Sequence, residues 1–461
     1  MSHFQNVDRE TLYLLPPSIQ EWLPENHLAR FIVDVVAQLD LKPLYKSYRG
    51  CGNEAVDPST LIALLFYGYS NGIFSSRKLE KATYESIPVR YICANTHPDH
   101  DTIANFRKRF LPHISKYFLE ILKIARELKF LKLGNISIDG SKFKANASKH
   151  SAMSYGHAKE LEARMQEEIN QLLELAKKTD TDEKIELDIP KEIELREKRL
   201  EKIRAAKSVI EERAAQREEI NKAEYEKKLD ERKQKEEKTG KKAGGKKPEP
   251  PENGPQDKDQ YNFTDPESAI MKSGSTGAFE QDYNSQVAVD QDSFLVVGTD
   301  LSNHPNDKKE LLPVIDSIPA AIGKPVAVAA DTGYFSEKNI DECKARGIEP
   351  FIAAGREPHY HTVEQLLQEE LSLADIDVEG LTPTEAMKVK LKTNEGKKIF
   401  GMRKCTAEPV FGIIKEAMGF RQFLLRGIEN VTREWSLVCT AYNLKRMFNM
   451  SLMTNLCVPS R

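Results

Sequence analysis

The chain has 461 residues, a formal net charge of −3 and 30% charged residues. That length exceeds one ordinary core and leads to an expectation of two to four structural units. The near-neutral sum excludes nothing about nucleic acid, because local patches set the field a ligand feels. No apolar run approaches the roughly 20 residues that cross a bilayer, the start carries no basic-then-apolar signal, and the six cysteines form no CxxC pair. The expectation is a protein of the reducing cytosol with no membrane partner.

Residues 1–130 read as an all-helical N-terminal domain. In ENHLARFIVDVVAQLD, Leu28, Phe31, Ile32, Val35 and Val36 fall on one helical face. Asp57-Pro58-Ser59-Thr60 is a helix start. HPDHDTIANFRKRF and the residues after it predict a helix capped by Asp99 or Asp101, carrying Arg107, Lys108 and Arg109 and stopping at Gly134. This resembles a helix-turn-helix with a basic second helix. The plainer alternative is a solvated charged face.

Residues 156–260 change character. Leu161, Met165, Ile169 and Leu172, then Ile193, Leu200, Ile203 and Ile210, form a narrow apolar seam among charges. This predicts an inserted helical hairpin or coiled coil, broken near KKTDTDEK. Residues 238–260 have the composition of a flexible linker. Dimer contact, DNA clamping and a solvated spacer are all open roles for the hairpin.

Around this insertion, 131–155 and 261–461 read as one catalytic domain. The strand run ISID, the hairpin of YNSQVAVD and FLVVGTDL, a helix in DKKELLPVIDSIPAAIG, the strand PVAVAAD, the helix EKNIDECKARG and the strand IEPFIAA follow in order. That is the order of an α/β, RNase H-like mixed five-stranded sheet flanked by helices. Residues 357–400 lack a clean period and read as a small insertion. The chain ends in helices, TAEPVFGIIKEAMGF and VTREWSLVCTAYNLKRMFNM.

Three acids stand out by position. Asp139 ends the first strand and Asp331 the fourth, which are neighbours in such a sheet. Glu408 falls in the first turn of a later helix. Three carboxylates in one place need cations, and hard oxygen donors suit Mg²⁺ or Mn²⁺. Two such ions can support in-line phosphodiester displacement. Each acid also has a plain explanation: Asp-Gly turns for the first two, a helix N-terminus for the third. His304 reads as structural, Asp307 as a helix cap, and Trp435 and Phe420 as core.

HPDHDTIANFRKRF, IDGSKFKANAS, VAADTGYFS, RKCTAEPVFGIIKEAMGFRQFLLRG and EWSLVCTAYNLKRM, in this order, resemble the DDE transposases of bacterial insertion sequences with an InsH-type N-terminal region. The resemblance implies a metal-binding catalytic triad of Asp139, Asp331 and Glu408 with two Mg²⁺ or Mn²⁺ ions. It also implies binding of terminal inverted repeats and target DNA, strand cleavage and transfer, a homodimer in the DNA complex, and a nucleoid-associated place in the bacterial cytoplasm. Related proteins carry a Tyr–Arg–Glu–Lys signature around the glutamate. Here Lys415 stands at the lysine position and Lys404 at that of the arginine, with Arg403 beside it. Gly401, next to Phe400, replaces the tyrosine. Arg107, Lys108, Arg109, Lys142, Lys144, Arg403, Lys404 and Lys415 are the expected DNA contacts. The alternatives are a nuclease of the same fold that does not join strands, and a catalytically silent DNA-binding derivative.

Overall fold

Short helix α1, Ile19–Trp22, precedes α2, Leu28–Val36, on which all five expected apolar residues are buried. The structure, a computed structural model, describes residues 18–48, 55–179, 188–239, 248–272, 277–355 and 381–454. Parts of the expected linker (240–247) and small insertion (356–380), the hairpin's break (180–187) and two of the cysteines, Cys51 and Cys457, lie outside them. The chain divides into two compact units, 1–143 with 283–461 and 144–282.

In the first unit α3, Lys42–Lys46, leads to α4, Pro58–Ser70, whose N-cap Asp57 accepts from the Ser59 N–H at 2.7 Å. Helices α5, Ser76–Glu85, and α6, Ile87–Ile92, follow. Asp99 caps α7, His100–Phe110, accepting from Thr102 N–H at 2.7 Å. The single helix expected up to Gly134 is instead two. A tight turn over Leu111–His113 contains Pro112, which cannot donate a backbone bond, and α8 spans Ile114–Glu127. That helix ends before Gly134 because Lys129 takes a left-handed conformation (φ 61°) and the chain folds back, Phe130 N–H donating to Ala125 at 2.8 Å.

The sheet begins with β1, Ile136–Lys144. It continues with β5, Phe279–Asp290, β6, Val296–Ser302, β7, Ala327–Ala330, and β8, Glu349–Ile352, after the shorter strands of the second unit. Its order is β6-β5-β1-β7-β8, with β6 antiparallel to β5, and β7 parallel to both β1 and β8. This is the RNase H-like order read from the sequence. The parallel strands β7 and β8 read as nearly continuous apolar runs because both faces are covered. Between β6 and β8 run α11, Leu311–Asp316, and α12, Glu337–Ala345. After the sheet come α13, Pro383–Lys392, α14, Asn394–Gly412, a π turn over Ile413–Ala417, and α15, Ile428–Thr454. Phe143, Phe411, Phe420, Phe423 and Trp435 form an aromatic cluster, so Trp435 and Phe420 are core as expected.

Helix α15 binds the N-terminal helices to the sheet. Its buried Asn443 donates to and accepts from the Val296 backbone at 2.8 Å each, and the Ala441 carbonyl accepts from Ser70 at 3.0 Å. Glu434, fully buried, accepts from the Leu424 and Leu425 N–H groups at 3.0 Å and from the Tyr69 hydroxyl at 3.2 Å. Burial pushes its carboxyl up, against those donors and the nearby Arg107 charge.

The second unit holds β2, Ala152–Ser154, α9, Tyr155–Thr179, α10, Ile189–Thr239, β3, Gln260–Asn262, and β4, Ala269–Lys272. Strand β4 pairs antiparallel with Phe279–Asp282, the start of β5. It is a sixth strand; four residues, AIMK, are too few to show a period. Met165, Ile169, Leu200 and Ile203 are buried between α9 and α10 with Met153, Ala158 and Ala206, and Leu161 and Ile193 pack against them. Arg196–Glu168 at 3.1 Å and Arg204–Glu162 at 2.9 Å flank this seam. Among the described residues no helix is long and apolar enough to cross a membrane.

Candidate active site

The parallel register of β1 and β7 pairs Ile136 with Val328 and Ser137 with Ala329. Carried two residues further, it sets Asp139 level with Asp331. Neighbouring strands lie about 4.8 Å apart, so the two aspartates stand side by side where β7 ends and β1 continues. Asp331 follows β7 and opens the turn Thr332–Tyr334, but Asp139 does not end its strand as expected: β1 runs on through Gly140 to Lys144. Asp139 Oδ1 accepts from Gly140 N–H, and Asp331 Oδ1 from Gly333 N–H, both at 2.9 Å.

Glu408 arrives from α14. The sequence reading set it in a first helical turn, but α14 starts at Asn394, so Glu408 lies near its other end. The start was hidden because Gly396 and Gly401 weaken the helical signal and charged residues break up the apolar spacing between Asn394 and Glu408. The positive N-terminus of a helix therefore does not explain this glutamate.

Arg403, one turn earlier, links the acids. Its guanidinium stands 3.7 Å from Asp139 Oδ2 and 3.5 Å from Glu408 Oε1, and it lies 5.9 Å from the Phe400 ring centre. The Arg403 side chain is only 11% exposed, while Lys404 is exposed. Of the two basic candidates, Arg403 is the one at the acids. Burial pushes the Asp139 carboxyl up to about 7; Arg403 opposes the shift, and Asp331 and Glu408 add to it. Asp331 is raised as well, chiefly by burial, against the Gly333 N–H and Arg403. Among the described residues no three acidic, histidine or cysteine side chains already stand at metal-coordinating spacing.

Lys415, on the π turn, donates to Ser141 Oγ at 2.6 Å and to the Lys142 carbonyl at 3.1 Å, and lies over the Phe143 ring at 4.6 Å. It fastens the end of α14 to the strand bearing Asp139. Lys144 pairs with Glu280 at 3.3 Å. On α7, Lys108 and Arg109 are exposed, Arg109 lying 5.3 Å from the Tyr48 ring beside a cavity of about 460 Å³. Arg107, expected on the DNA-facing side, is committed inward: it donates to the Phe74 carbonyl at 3.0 Å and to Tyr69 at 3.4 Å.

Two further expectations meet the structure differently. His304 Nδ1 contacts Glu310 at 2.8 Å, and that bond pushes the imidazole up; this is the structural role read for it. Asp307 is not a cap. It opens the turn Asp307–Lys309, and its Oδ1 accepts from Asn284 Nδ2 at 2.7 Å and Gln286 Nε2 at 2.8 Å. Sequence reasoning missed Asn284 and Gln286. The available signal was a cluster of polar residues, Asn284 to Gln286, leading into the apolar run Val287–Val289 of the same strand.

The site therefore sets two aspartates level on adjacent strands of an RNase H-like sheet, with a helical glutamate joined to the first of them through Arg403. The family profile of a transposase DDE domain matches residues 254–444, and that of a transposase domain (DUF772) matches residues 17–109. A protein assigned as the transposase for insertion sequence element IS402 of Burkholderia cepacia is 44% identical over 61 residues, a stretch covering 12% of this chain and 29% of that protein. No solved structure matches the chain significantly. Together these matches support a DDE transposase of insertion sequences.

Proposed function

We propose that this chain binds the terminal inverted repeats of its element and performs both strand cleavage and strand transfer at Asp139, Asp331 and Glu408. The observation that carries the reading is the register that sets Asp139 level with Asp331. The donor set fits a divalent cation. All three side chains offer hard oxygens, and a carboxyl raised to about 7 by burial needs positive charge beside it to stay ionised at neutral pH. Asp139, Asp331 and Glu408 would hold Mg²⁺ or Mn²⁺, which when bound activates a hydroxyl and stabilises the leaving oxygen of an in-line displacement.

The residues of the chain do the rest. The Gly140 and Gly333 N–H groups orient the two aspartates. Arg403 holds Asp139 and Glu408 against mutual repulsion and offers a planar fork suited to a phosphate oxygen. Lys415 keeps the glutamate's helix against β1. In the first step water attacks phosphorus and the 3′ oxygen leaves as a free 3′-hydroxyl. In the second, that hydroxyl attacks a target phosphodiester, with one P–O bond formed and one broken. Lys108, Arg109, Lys142, Lys144 and Lys404 are the basic residues we assign to the DNA backbone. Paired ends call for a homodimer in the complex, and the reaction places the protein with the bacterial nucleoid.

Asp139→Asn, Asp331→Asn and Glu408→Gln each test the triad in a Mg²⁺-dependent cleavage assay on end DNA, with end binding measured alongside. Cleavage should fall about a thousandfold or more while binding is kept. Undiminished cleavage in any one variant removes that residue from the site. Cleavage without joining in the wild-type protein would favour the nuclease reading.

A further inference from the structure

The strand backbone just after Asp139 and the turn just after Asp331 both lie against a third acid. A Cβ placed on Gly140 would overlap the Gln286 side-chain amide and lie 2.9 Å from Asp307 Oδ1. One placed on Gly333 would lie 3.0 Å from Asp331 Oδ1 and 3.5 Å from Asp307 Oδ2. The Asp307 carboxylate therefore sits between the backbone that follows Asp139 and the backbone that follows Asp331, one oxygen toward each.

Its own position is held from behind. Asn284 and Gln286 are buried on β5, at 2% and 0% exposure, and both donate to the same oxygen, Oδ1. Gln286 is fixed in turn. Its side-chain carbonyl accepts from the Tyr334 hydroxyl, and its backbone carbonyl accepts from Trp435 Nε1 at 3.0 Å. Tyr334 belongs to the turn that starts at Asp331. The circuit thus closes on itself: β5 holds Asp307, Asp307 lies against the backbone after each aspartate, and the turn after Asp331 returns Tyr334 to β5. Charge-assisted bonds to a carboxylate are stronger and shorter than neutral ones, which suits a part that must not move. Asp307 also stands close enough for its charge to help raise Asp331.

We propose that Asp307 is a positioning residue for this active site, setting the spacing of Asp139 and Asp331 through the Gly140 and Gly333 backbones while anchored on Asn284 and Gln286. The proposal rests on the triad reading above and adds a residue to it.

The test is Mn²⁺ binding by the full chain without DNA, followed by the loss of the free-ion electron paramagnetic resonance signal, with thermal melting recorded for each variant. Asp307→Ala should weaken Mn²⁺ about tenfold, the usual cost of losing an outer-shell partner, and lower the melting temperature, because two buried amides lose their acceptor. Asp307→Asn, which keeps an oxygen for both amides, should recover most of that loss. Asn284→Ala, which removes one of the two anchors, should fall between wild type and Asp307→Ala and decides the matter if Asp307→Ala does not fold. Wild-type affinity in Asp307→Ala overturns the proposal, as does equal loss in Asp307→Ala and Asp307→Asn, which would make the charge and not the position the working part. Asp331→Asn is the control. If it binds Mn²⁺ as wild type does, or if wild type binds none, the triad reading fails and this proposal falls with it.

Discussion

The two units of this chain use charge in opposite ways. In the first, ionisable groups are drawn inside. Glu434 is fully buried, and Asp139 and Arg403 are nearly so, each answered by named donors or an opposite charge. In the second, charge stays on the outside of α9 and α10, and a seam of Met165, Ile169, Leu200 and Ile203 holds the pair together. The chain's high charged fraction is therefore silent about where electrostatics matters. A buried charge carries a desolvation cost that only fixed partners offset, so its removal breaks a structure built around it. An exposed pair gains little, because water and salt screen it.

The sharpest way to break this contrast is Glu434→Ala. It strands two backbone N–H groups and Tyr69, and leaves Arg107 without its acid, so the first unit should lose about 3–5 kcal/mol. Urea unfolding followed by Trp435 fluorescence measures it; a loss below about 1 kcal/mol would mean that water replaces the glutamate. Next in size is Leu200→Ala in the hairpin. The lost transfer energy and the cavity predict about 2–4 kcal/mol, read as helical signal lost at lower urea, with Trp435 fluorescence unmoved. If the fluorescence transition shifts as well, the two units unfold together. The smallest effect belongs to Arg204→Ala, which removes the 2.9 Å pair with Glu162. Its unfolding midpoint should match wild type within error, and a clear drop would show that this surface pair is not screened.

The candidate site was legible to different depths. Asp139 and Asp331 could be picked from ISID and VAAD because an apolar strand run that reaches an acid, with glycine one or two residues on, is a local pattern. Glu408 could be picked as a residue, yet its surroundings could not, since α14 starts well upstream in charged, glycine-containing sequence. Arg403 and Lys404 were both candidates on paper, with Arg403 favoured by its planar fork. Helix rotation separated them, turning Arg403 to the acids and Lys404 to solvent. On α7, Arg107 looked like its two basic neighbours until Tyr69 and Phe74, more than thirty residues away, claimed it.

What the sequence determined by itself was periodic or local: the helical face of α2, the cap at Asp57 and one at Asp99 or Asp101, the hairpin seam, and five strands in an order that fits one kind of sheet. These follow from side-chain spacing of 3.6 or 2 and from backbone preferences within a few residues. What only the tertiary structure decided was which polar groups meet. Asn284 and Gln286 reach Asp307, Glu434 reaches Tyr69, and Lys415 reaches Ser141 across separations that no local pattern encodes. Hydrogen bonds and ion pairs are short-ranged and directional, so their partners are fixed only once packing has set the distances between elements.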